Sequence, residues 1–469
     1  PDIATIERVE VLRGPASLLY GRGDPGGTFN IVTRQPLPFP SYGGTGLFDH
    51  RGSLRGVLDA TGPLDQEGNV AYRLTGVAEN NRSFREFVET DRLLVAPALS
   101  WRATPDTTVT LEAEFLRNDQ TFDRGVVAVN NRLGAVPIRR FLGEPNQGRF
   151  RTENAMAQLR VEHRINNDWT LRVGGQYLGG TLAGSSVEAN RLLADGRSLA
   201  RERRFRDYDW GDLDIQANLV GRLATGPIRH TLLVGAELEL YRNREILTRS
   251  NPAAAPFALD IFSPAYGRPP PAPTRRGDTL EKARTLALYA QDQVEITPRL
   301  KAVAGVRVEN FDQDFTQRAG NVASPQNRTA VTPRVGLIYD LAPSVSAYAS
   351  VGRSFLPNRG GDTFGRSFAP EEGIAYEVGT KLDLLDGRLG VTAALFQIEK
   401  ENVQTADPAN TGFNIAAGEA RSRGFDVSVA GELAPSWRVI GGYAYVDAEV
   451  TRGDAVLRAG SPLLNVPRH

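Results

Sequence analysis

Most of the chain alternates between apolar and polar residues with a period of two. In residues 213–223 every second position from Leu213 to Leu219 is apolar, and Asp214 and Gln216 lie between them. The same alternation recurs in residues 109–115, 232–240, 302–308 and 425–429. A period of two predicts β-strands with one apolar and one polar face.

The connections between these segments alternate in length. Short turns are predicted at residues 105–107, 166–168, 297–299, 342–344, 385–387 and 434–436. Long loops are predicted at residues 122–150, 182–204, 246–279, 355–370 and 401–418. This order is typical of an up-and-down antiparallel meander whose two ends face different environments. We count about sixteen strands and the start of another at residues 465–469.

The pattern favours a membrane β-barrel over the soluble all-β folds. A sandwich would bury its apolar face against a second sheet, and a propeller would show a fixed repeat. The polar face carries paired charges, such as Arg160 with Glu162 and Arg307 with Glu309. Such pairs suit a water-filled or plugged lumen better than a dry core. We therefore predict an all-β fold, a transmembrane antiparallel barrel of about 16–17 strands with a globular piece in its lumen.

Composition agrees with this fold and excludes several alternatives. The 469 residues are 41% hydrophobic with a mean hydropathy of -0.31, which excludes a helical membrane bundle and a low-hydrophobicity disordered chain. The absence of cysteine excludes thiolate metal sites and cysteine nucleophiles. The 55 basic and 55 acidic residues balance, so no basic field points to nucleic acid.

Residues 1–40 have a different pattern. They predict a short strand, a short helix or turn, a glycine-rich loop and a second short strand. A phosphate-binding loop is excluded, because no P-loop Lys-Ser/Thr pair and no helix of useful length follow the glycines. We instead predict tight turns at Gly14, Pro15, Gly21, Gly26 and Gly27.

The segment IERVEVLRGPASLLYGRGDPGGTFNIVTRQP closely resembles the last part of the plug domain of TonB-dependent outer-membrane receptors, particularly ferric-siderophore receptors. The segments LALYAQDQVEITPRLKAVAGVRVENF and PEEGIAYEVGTKLDLLDGRLGVTAALF resemble blocks of the family's barrel in the family's order. The resemblance implies the C-terminal part of a plug at residues 1–40 and a barrel at residues 41–469. The family's barrel has 22 strands and ends in an aromatic residue, so we expect a piece of a larger receptor that lacks its last strands.

The resemblance implies active import across the bacterial outer membrane. A ferric siderophore would bind outside, and the inner-membrane TonB–ExbB–ExbD complex would supply the energy. The implied protein is a monomer with lipid and lipopolysaccharide around it, and iron enters only as the bound chelate. Cobalamin, haem or an oligosaccharide remain alternative ligands. A passive porin is the less favoured reading, because an open channel has no use for a plug segment.

The resemblance also implies an ionic latch between plug and barrel. Arg13 resembles the family's plug arginine, and Glu377 and Glu419 match the wall positions that bind it. The alternative is that both glutamates pair with wall neighbours such as Lys381 or Arg421.

Two residue sets are candidates for ligand or lipopolysaccharide contacts. The first is a basic run that would lie in or beside a long outer loop. It would bind an anionic ligand or lipopolysaccharide, or it would instead pair with its own neighbours Glu202 and Asp207. The second is aromatic and would lie near loop mouths or in a membrane girdle. The residues are Arg201, Arg203, Arg204, Arg206, Trp210, Tyr266, Phe355, Phe364 and Phe368.

Neither a resident metal nor an enzyme is predicted. The four histidines, His50, His163, His230 and His469, share no ligand spacing. No G-x-S-x-G elbow or other nucleophile signature is present in the sequence.

Overall fold

The computed structural model describes residues 2–15, 17–251, 257–407, 410, 413–453, 458–463 and 465–469. They form twenty strands, one short helix, α1, at Ser17–Tyr20, and a 3-10 turn at Pro145–Gln147. The strands are β1 Ile6–Arg13, β2 Gly27–Thr33, β3 Ser41–Phe48, β4 Leu54–Pro63, β5 Val70–Arg82, β6 Glu89–Thr104, β7 Thr107–Gln120, β8 Phe150–Arg164, β9 Trp169–Leu192, β10 Ser198–Thr225, β11 Ile228–Arg249, β12 Phe257–Asp260, β13 Arg275–Glu295, β14 Leu300–Gln317, β15 Val322–Ala342, β16 Val345–Leu356, β17 Glu371–Leu384, β18 Leu389–Ala406, β19 Asn414–Ala434 and β20 Trp437–Arg452.

Strands β3 to β20 form a closed barrel in which chain neighbours pair antiparallel. The short strand β12 is the exception, because it pairs with one end of β10 while β11 pairs directly with β13. Seventeen strands in the described part of the chain therefore build the wall. The predicted fold class is confirmed.

The two faces of the wall differ as the alternation predicted. Along β13, Ala283, Thr285 and Ala287 are buried on the lumen side. Leu286 and Leu288 on the outer side are 49% and 63% exposed. Large apolar residues left open all around a barrel mark a surface that lipid covers.

The six predicted short turns all lie between consecutive strands, at one end of the barrel. We call this the short-turn end and the opposite one the long-loop end. Three predicted long loops are wrong. Residues 182–204 are mostly strand, since β9 reaches Leu192 and β10 begins at Ser198. Residues 246–279 lose both flanks to β11 and β13, and residues 401–418 lose both flanks to β18 and β19. Above the membrane both strand faces can be polar, so these extensions carry no period-2 signal.

A small apolar core holds the tall strands together at the long-loop end. Its buried members come from the connection between β7 and β8, from β10, and from β12 and its flank. We call it the outer loop core, and it contains Val136, Leu142, Leu199, Leu259 and Ile261. It organises the long connection of residues 121–149 against the β9–β10 hairpin.

The ring is completed between β20 and β3. Strand β3 is exposed at all eight of its residues. On the other side, C-terminal residues bond to β20: the N–H of Val446 donates to the carbonyl of Arg468, and the N–H of Leu463 donates to that of Ala448. The described C-terminal residues thus bond to β20 beside the seam, and residues 465–469 do not form the predicted start of a strand.

Strands β1 and β2 pair with each other and form a separate two-stranded sheet. With α1 they build what we call the inner hairpin, residues 6–33. The hairpin and its flanks bond to wall strands on every side: Asp2 to Arg55 of β4, Thr33 to Glu112 of β7, Arg13 to Asp426 of β19. A segment that reaches opposite walls of a barrel lies in its lumen. No helix in the described residues is long and apolar enough to cross a membrane.

Shortening Ile261, which is 0% exposed, to alanine should loosen the outer loop core and leave the barrel intact. Loss of a buried branched side chain costs about 2–5 kcal/mol, enough to open a local unit. We expect faster proteolysis within residues 121–149 with unchanged heat-modifiable migration of the barrel. Ile138→Ala is the matched control, because Ile138 is 67% exposed in the same connection. Equal cleavage of both variants would contradict the packing described here.

Candidate functional site

The candidate site lies where the turn of the inner hairpin meets the wall. We call residues 21–26 the hairpin tip. Arg22 forms an ion pair with Glu239 of β11, and Asp24 accepts a bond from the ammonium of Lys400 on β18 at 2.6 Å. The N–H of Gly23 donates to the carbonyl of Phe355 on β16 at 3.2 Å. Phe355 lies at the end of its strand near residues 357–370, so the tip faces the long-loop end.

Glu239 joins the tip to a long loop as well. The guanidinium of Arg359, in the connection between β16 and β17, lies 3.8 Å from the Glu239 carboxylate and stacks 3.3 Å over the ring of Tyr241. The next residue, Gly360, donates its N–H to the Glu281 carboxylate at 3.2 Å. Glu239 is only 1% exposed, so a buried carboxylate shared by two arginines links the tip to the loop.

Two wall glycines give the hairpin room to seat. A Cβ on Gly352 of β16 would lie 2.8 Å from Cγ of Pro15. A Cβ on Gly305 of β14 would lie 2.5 Å from Cδ2 of Leu18. Both are closer than carbon atoms approach without movement, so glycine permits these contacts. The alternation of the sequence predicts that both glycines point into the lumen. It does not predict which residues of the inner hairpin they contact.

The predicted latch requires a correction. Arg13 binds Asp426 of β19, a residue that sequence reasoning missed. Glu419 binds Arg452 at 2.7 Å, as the wall-neighbour alternative held, although with a different arginine. Glu377 accepts a hydrogen bond from the hydroxyl of Tyr348 at 2.6 Å. Asp426 lies two residues closer to the short-turn end than the position on β19 that is level with the predicted Glu377. Only the strand pairing reveals that offset.

Three of the predicted turn glycines have positive φ angles: 77° at Gly14, 72° at Gly21 and 147° at Gly27. Gly26 does not, and its N–H instead donates to the Asp24 side chain at 2.7 Å. Pro15 contributes to the turn by packing on Gly352.

The basic run is neutralised by its own neighbours. Arg201 is fully buried and binds Glu144 at 3.1 Å, under the outer loop core. Arg204 and Arg206 both bind Glu188, at 3.2 and 2.7 Å. Arg204 also binds Glu202 at 3.0 Å, as the self-pairing alternative predicted. The guanidinium of Arg203 donates to the Ser185 hydroxyl at 3.5 Å, and its backbone N–H donates to the Ser250 hydroxyl at 2.9 Å.

The aromatic set divides into packing residues and one exposed ring. Phe355 and Phe368 are buried, and the Tyr266 hydroxyl donates to the carbonyl of Phe141 at 2.6 Å. Trp210 is half-buried within β10. Phe364 is 67% exposed in the loop that carries Arg359, so it is the member best placed to meet a ligand from outside.

A cavity of about 700 Å³ lies beneath the tip, between the inner hairpin and the wall. Arg13, Tyr348, Glu377 and Asp426 line one side of it. Its lining also includes Glu295 and Lys301, which flank a short turn, so it extends toward the short-turn end. No group of three or more His, Asp or Glu side chains within the described ranges is arranged to hold a metal ion.

Known proteins are similar to this chain in sequence and in fold. Residues 100–469 match the family model described as TonB dependent receptor-like, beta-barrel, and residues 1–28 match the TonB-dependent Receptor Plug Domain. The chain belongs to the TonB-dependent receptor family. Its barrel is therefore an outer-membrane barrel, with the short-turn end in the periplasm and the long-loop end outside.

Several family members can be compared over the whole chain. The "Metal-pseudopaline receptor" of Pseudomonas aeruginosa is 47% identical over 100% of this chain and 67% of its own length. The "Ferrichrome outer membrane transporter/phage receptor" of Escherichia coli is 28% identical over 100% of this chain and 66% of its own. The chain thus spans about two thirds of these receptors.

Solved structures show the same fold. The ferric preacinetobactin receptor from Acinetobacter baumannii superposes with a TM-score of 0.86 at 20% identity. The match covers 100% of this chain and 71% of that receptor.

Removing Arg22 should unseat the hairpin far more than removing Arg13. The Arg22 side chain is 14% exposed, and its loss leaves Glu239 buried with only the Thr285 hydroxyl and the more distant Arg359 guanidinium as partners, which costs about 3–5 kcal/mol. The Arg13 side chain is 55% exposed, and exposed pairs contribute about 0–1 kcal/mol. In planar bilayers, we expect the full-length receptor with Arg22→Ala to open at least about tenfold more often than the receptor with Arg13→Ala. The reverse order would show that the Arg13 end carries the latch.

Asp2 should anchor the segment before β1 until strongly acidic pH. Burial raises the pKa of its carboxyl, but hydrogen bonds from Arg55, the N–H of Ala4 and Arg92 outweigh burial and hold it below the ordinary 3.8. A lowered pKa stabilises the fold above 3.8, and this contribution is lost as pH falls through the folded-state pKa. The difference in thermal unfolding midpoint between wild type and Asp2→Asn should stay constant from about pH 7 to 5 and shrink only below 3.8. A difference that shrinks near neutral pH would contradict this.

Proposed function

We propose that the protein binds a metal–siderophore complex outside the cell and imports it into the periplasm with energy from the TonB–ExbB–ExbD complex. The observation that carries the proposal is the seated inner hairpin. It lies in the lumen of an outer-membrane barrel and is held at its tip by ionic and hydrogen bonds that a pull from the periplasm can break.

In this proposal residues 1–40 act as the C-terminal part of the plug and residues 41–469 as the barrel. The contacts at Glu239, Lys400 and the Phe355 carbonyl hold the plug closed. The Lys400–Asp24 pair is partly exposed and is the easier of the two ion pairs to break. The cavity beneath the tip is the space through which a released chelate would continue.

The ligand class follows from the relatives. Identity to the metal-pseudopaline receptor is 47%, against 28% for the ferrichrome transporter, so a metal–pseudopaline complex is the first candidate and a ferric siderophore the second. The exposed Phe364 is the proposed first contact. Cobalamin, haem and oligosaccharides remain weaker alternatives, and a passive porin is disfavoured by the occupied lumen.

We further propose that the receptor acts as a monomer without catalytic activity, resident cofactor or nucleic-acid partner. The metal enters as cargo within the chelate. The barrel wall is a single chain in the described residues, and its outer face is apolar enough to be covered by lipid alone.

Growth of a receptor-deficient strain that carries the full-length parent protein tests this function. Under metal starvation, we expect rescue by a metal–pseudopaline complex or a ferric siderophore, and loss of rescue when TonB is deleted. Phe364→Ala should raise the chelate concentration needed for half-maximal growth by about tenfold or less, since one aromatic contact contributes about 0.5–1.5 kcal/mol. Leu133→Ala is the control, because Leu133 is likewise exposed in the connection between β7 and β8, away from this loop. Rescue only by cobalamin or haem, or rescue without TonB, would refute the proposal.

A further inference from the structure

Each charge on the hairpin tip shares its wall partner with a second residue of the same sign. At Glu239 of β11, Arg22 supplies the cation from the tip, and the guanidinium of Arg359 lies 3.8 Å from the same carboxylate. Arg359 does not depend on the tip for its position, because it stacks over the ring of Tyr241 in the connection between β16 and β17. Glu239 would therefore keep a cation beside it if Arg22 left.

The same arrangement occurs at Lys400 of β18 with the signs reversed. The ammonium of Lys400 binds Asp24 of the tip at 2.6 Å and Glu371, the first residue of β17, at 2.7 Å. Glu371 is buried, whereas the Asp24 side chain is 50% exposed. If Asp24 left, Lys400 would keep one buried carboxylate as its partner.

Two ion pairs between the flanks of the inner hairpin and β4 have the same form. In each, the wall residue binds a flank residue and also a residue of β5 that has the charge of the flank residue. The two sets, given as flank residue, wall residue and second partner, are Asp2, Arg55 and Glu79, and Arg34, Asp59 and Arg73. The pair of Arg13 with Asp426 is the exception, because no second cation among the described residues forms an ion pair with Asp426.

This arrangement affects the energy of any movement of the inner hairpin. A buried charge that loses its only partner is strongly unfavourable. With the tip seated, the two cations at Glu239 repel each other, and so do the two carboxylates at Lys400. With the tip withdrawn, one cation and one carboxylate remain in each set. The surplus charge therefore belongs to the seated state, and the wall residues stay paired in the open state.

We propose that Arg359 and Glu371 are exchange partners, which take over Glu239 and Lys400 when the hairpin tip is withdrawn. Opening of the plug then leaves neither wall charge unpaired. A shift of about 1 Å would bring Arg359 within the distance of a charge-assisted hydrogen bond to Glu239. Glu371 needs no shift, because it already binds Lys400.

The inference rests on the proposed withdrawal of the plug and gives two residues outside the plug a role in it. Both are positioning residues, which act through the wall charges and not on the chelate. Exchange and a simple latch differ in sign. If Arg359 and Glu371 only helped to hold the tip, their removal would loosen it. As exchange partners they stabilise the open state, so their removal should make opening rarer, whereas Arg22→Ala removes a contact of the seated tip and makes opening more frequent.

Opening of the full-length receptor in planar bilayers tests the inference without chelate or TonB, with urea adjusted until the wild type opens measurably. Arg359→Gln and Glu371→Gln should each open about three- to tenfold less often than the wild type, because each leaves a wall charge unpaired once the tip is withdrawn. Arg359→Lys keeps the charge and should open within about twofold of the wild type.

A double-variant cycle separates exchange from a general effect on the loop. In a receptor that already carries Glu239→Gln, the further change Arg359→Gln should alter opening by less than about twofold, because no wall carboxylate then needs a partner. A full effect of Arg359→Gln in this background would contradict the proposal. Heat-modifiable migration confirms that each variant is folded.

The matched controls are Arg366→Gln and Glu372→Gln. Arg366 lies in the same loop as Arg359 but binds Asp362 within that loop, and Glu372 is the exposed neighbour of Glu371 on β17. Both controls should open within about twofold of the wild type. Unchanged or more frequent opening of Arg359→Gln and Glu371→Gln would overturn the proposal, and so would an equal decrease in the controls.

Failure of this proposal and failure of the proposed function give different results. If the bilayer results are as expected but metal–siderophore complexes do not rescue growth, the exchange partners stand and the assigned ligand falls. If rescue depends on TonB but the two glutamine variants open as often as the wild type, the import function stands and the exchange partners fall.

Discussion

A backbone N–H or C=O without a partner in hydrocarbon costs several kcal/mol, and this cost governs the whole molecule. The wall strands between β3 and β20 therefore pair on both sides, and the sheet curves until its first and last strands become neighbours. Once the backbone is satisfied in this way, side chains alone distinguish the two faces. Apolar residues such as Leu286 and Leu288 occupy the outer face within the membrane, and the polar positions of these strands face the lumen.

The charged side chains of the wall consequently face the lumen, and there they can hold the inner hairpin. A ring of this width needs an obstruction, and the inner hairpin forms part of it. Its seat combines steric fit with charge: Pro15 and Leu18 fit against wall glycines, and Arg22 reaches the buried Glu239. Because the Glu239 carboxylate also lies beside Arg359, displacement of the hairpin tip removes an ionic neighbour of residues 357–370. One carboxylate thereby connects the inner hairpin with the loop that carries the proposed ligand contact, Phe364.

The outward face near the long-loop end shows that strand register alone does not decide ion pairing. Arg151 and Lys282 each lie directly across from an aspartate on the neighbouring strand, Asp119 and Asp314. Only Arg151 forms an ion pair in the part of the chain that the structure describes, at 2.8 Å. Because the register is equivalent, the difference lies in the arrangement of the two side chains.

The sequence by itself determined the strands, the short turns, the lumen and lipid faces, and the strand–helix–strand character of residues 6–33, because each depends on local periodicity or turn chemistry. It did not determine the extensions of β9 and β10 beyond the membrane, where alternation of polarity ends. Tertiary structure alone decided that Arg13 meets Asp426, that Glu419 meets Arg452, and that Arg22 meets Glu239. The contacts of Arg13 and Arg22 join residues hundreds of positions apart, and that of Glu419 joins neighbouring strands. A shift of register by two positions would exchange one carboxylate for another, as from Glu239 to Glu237.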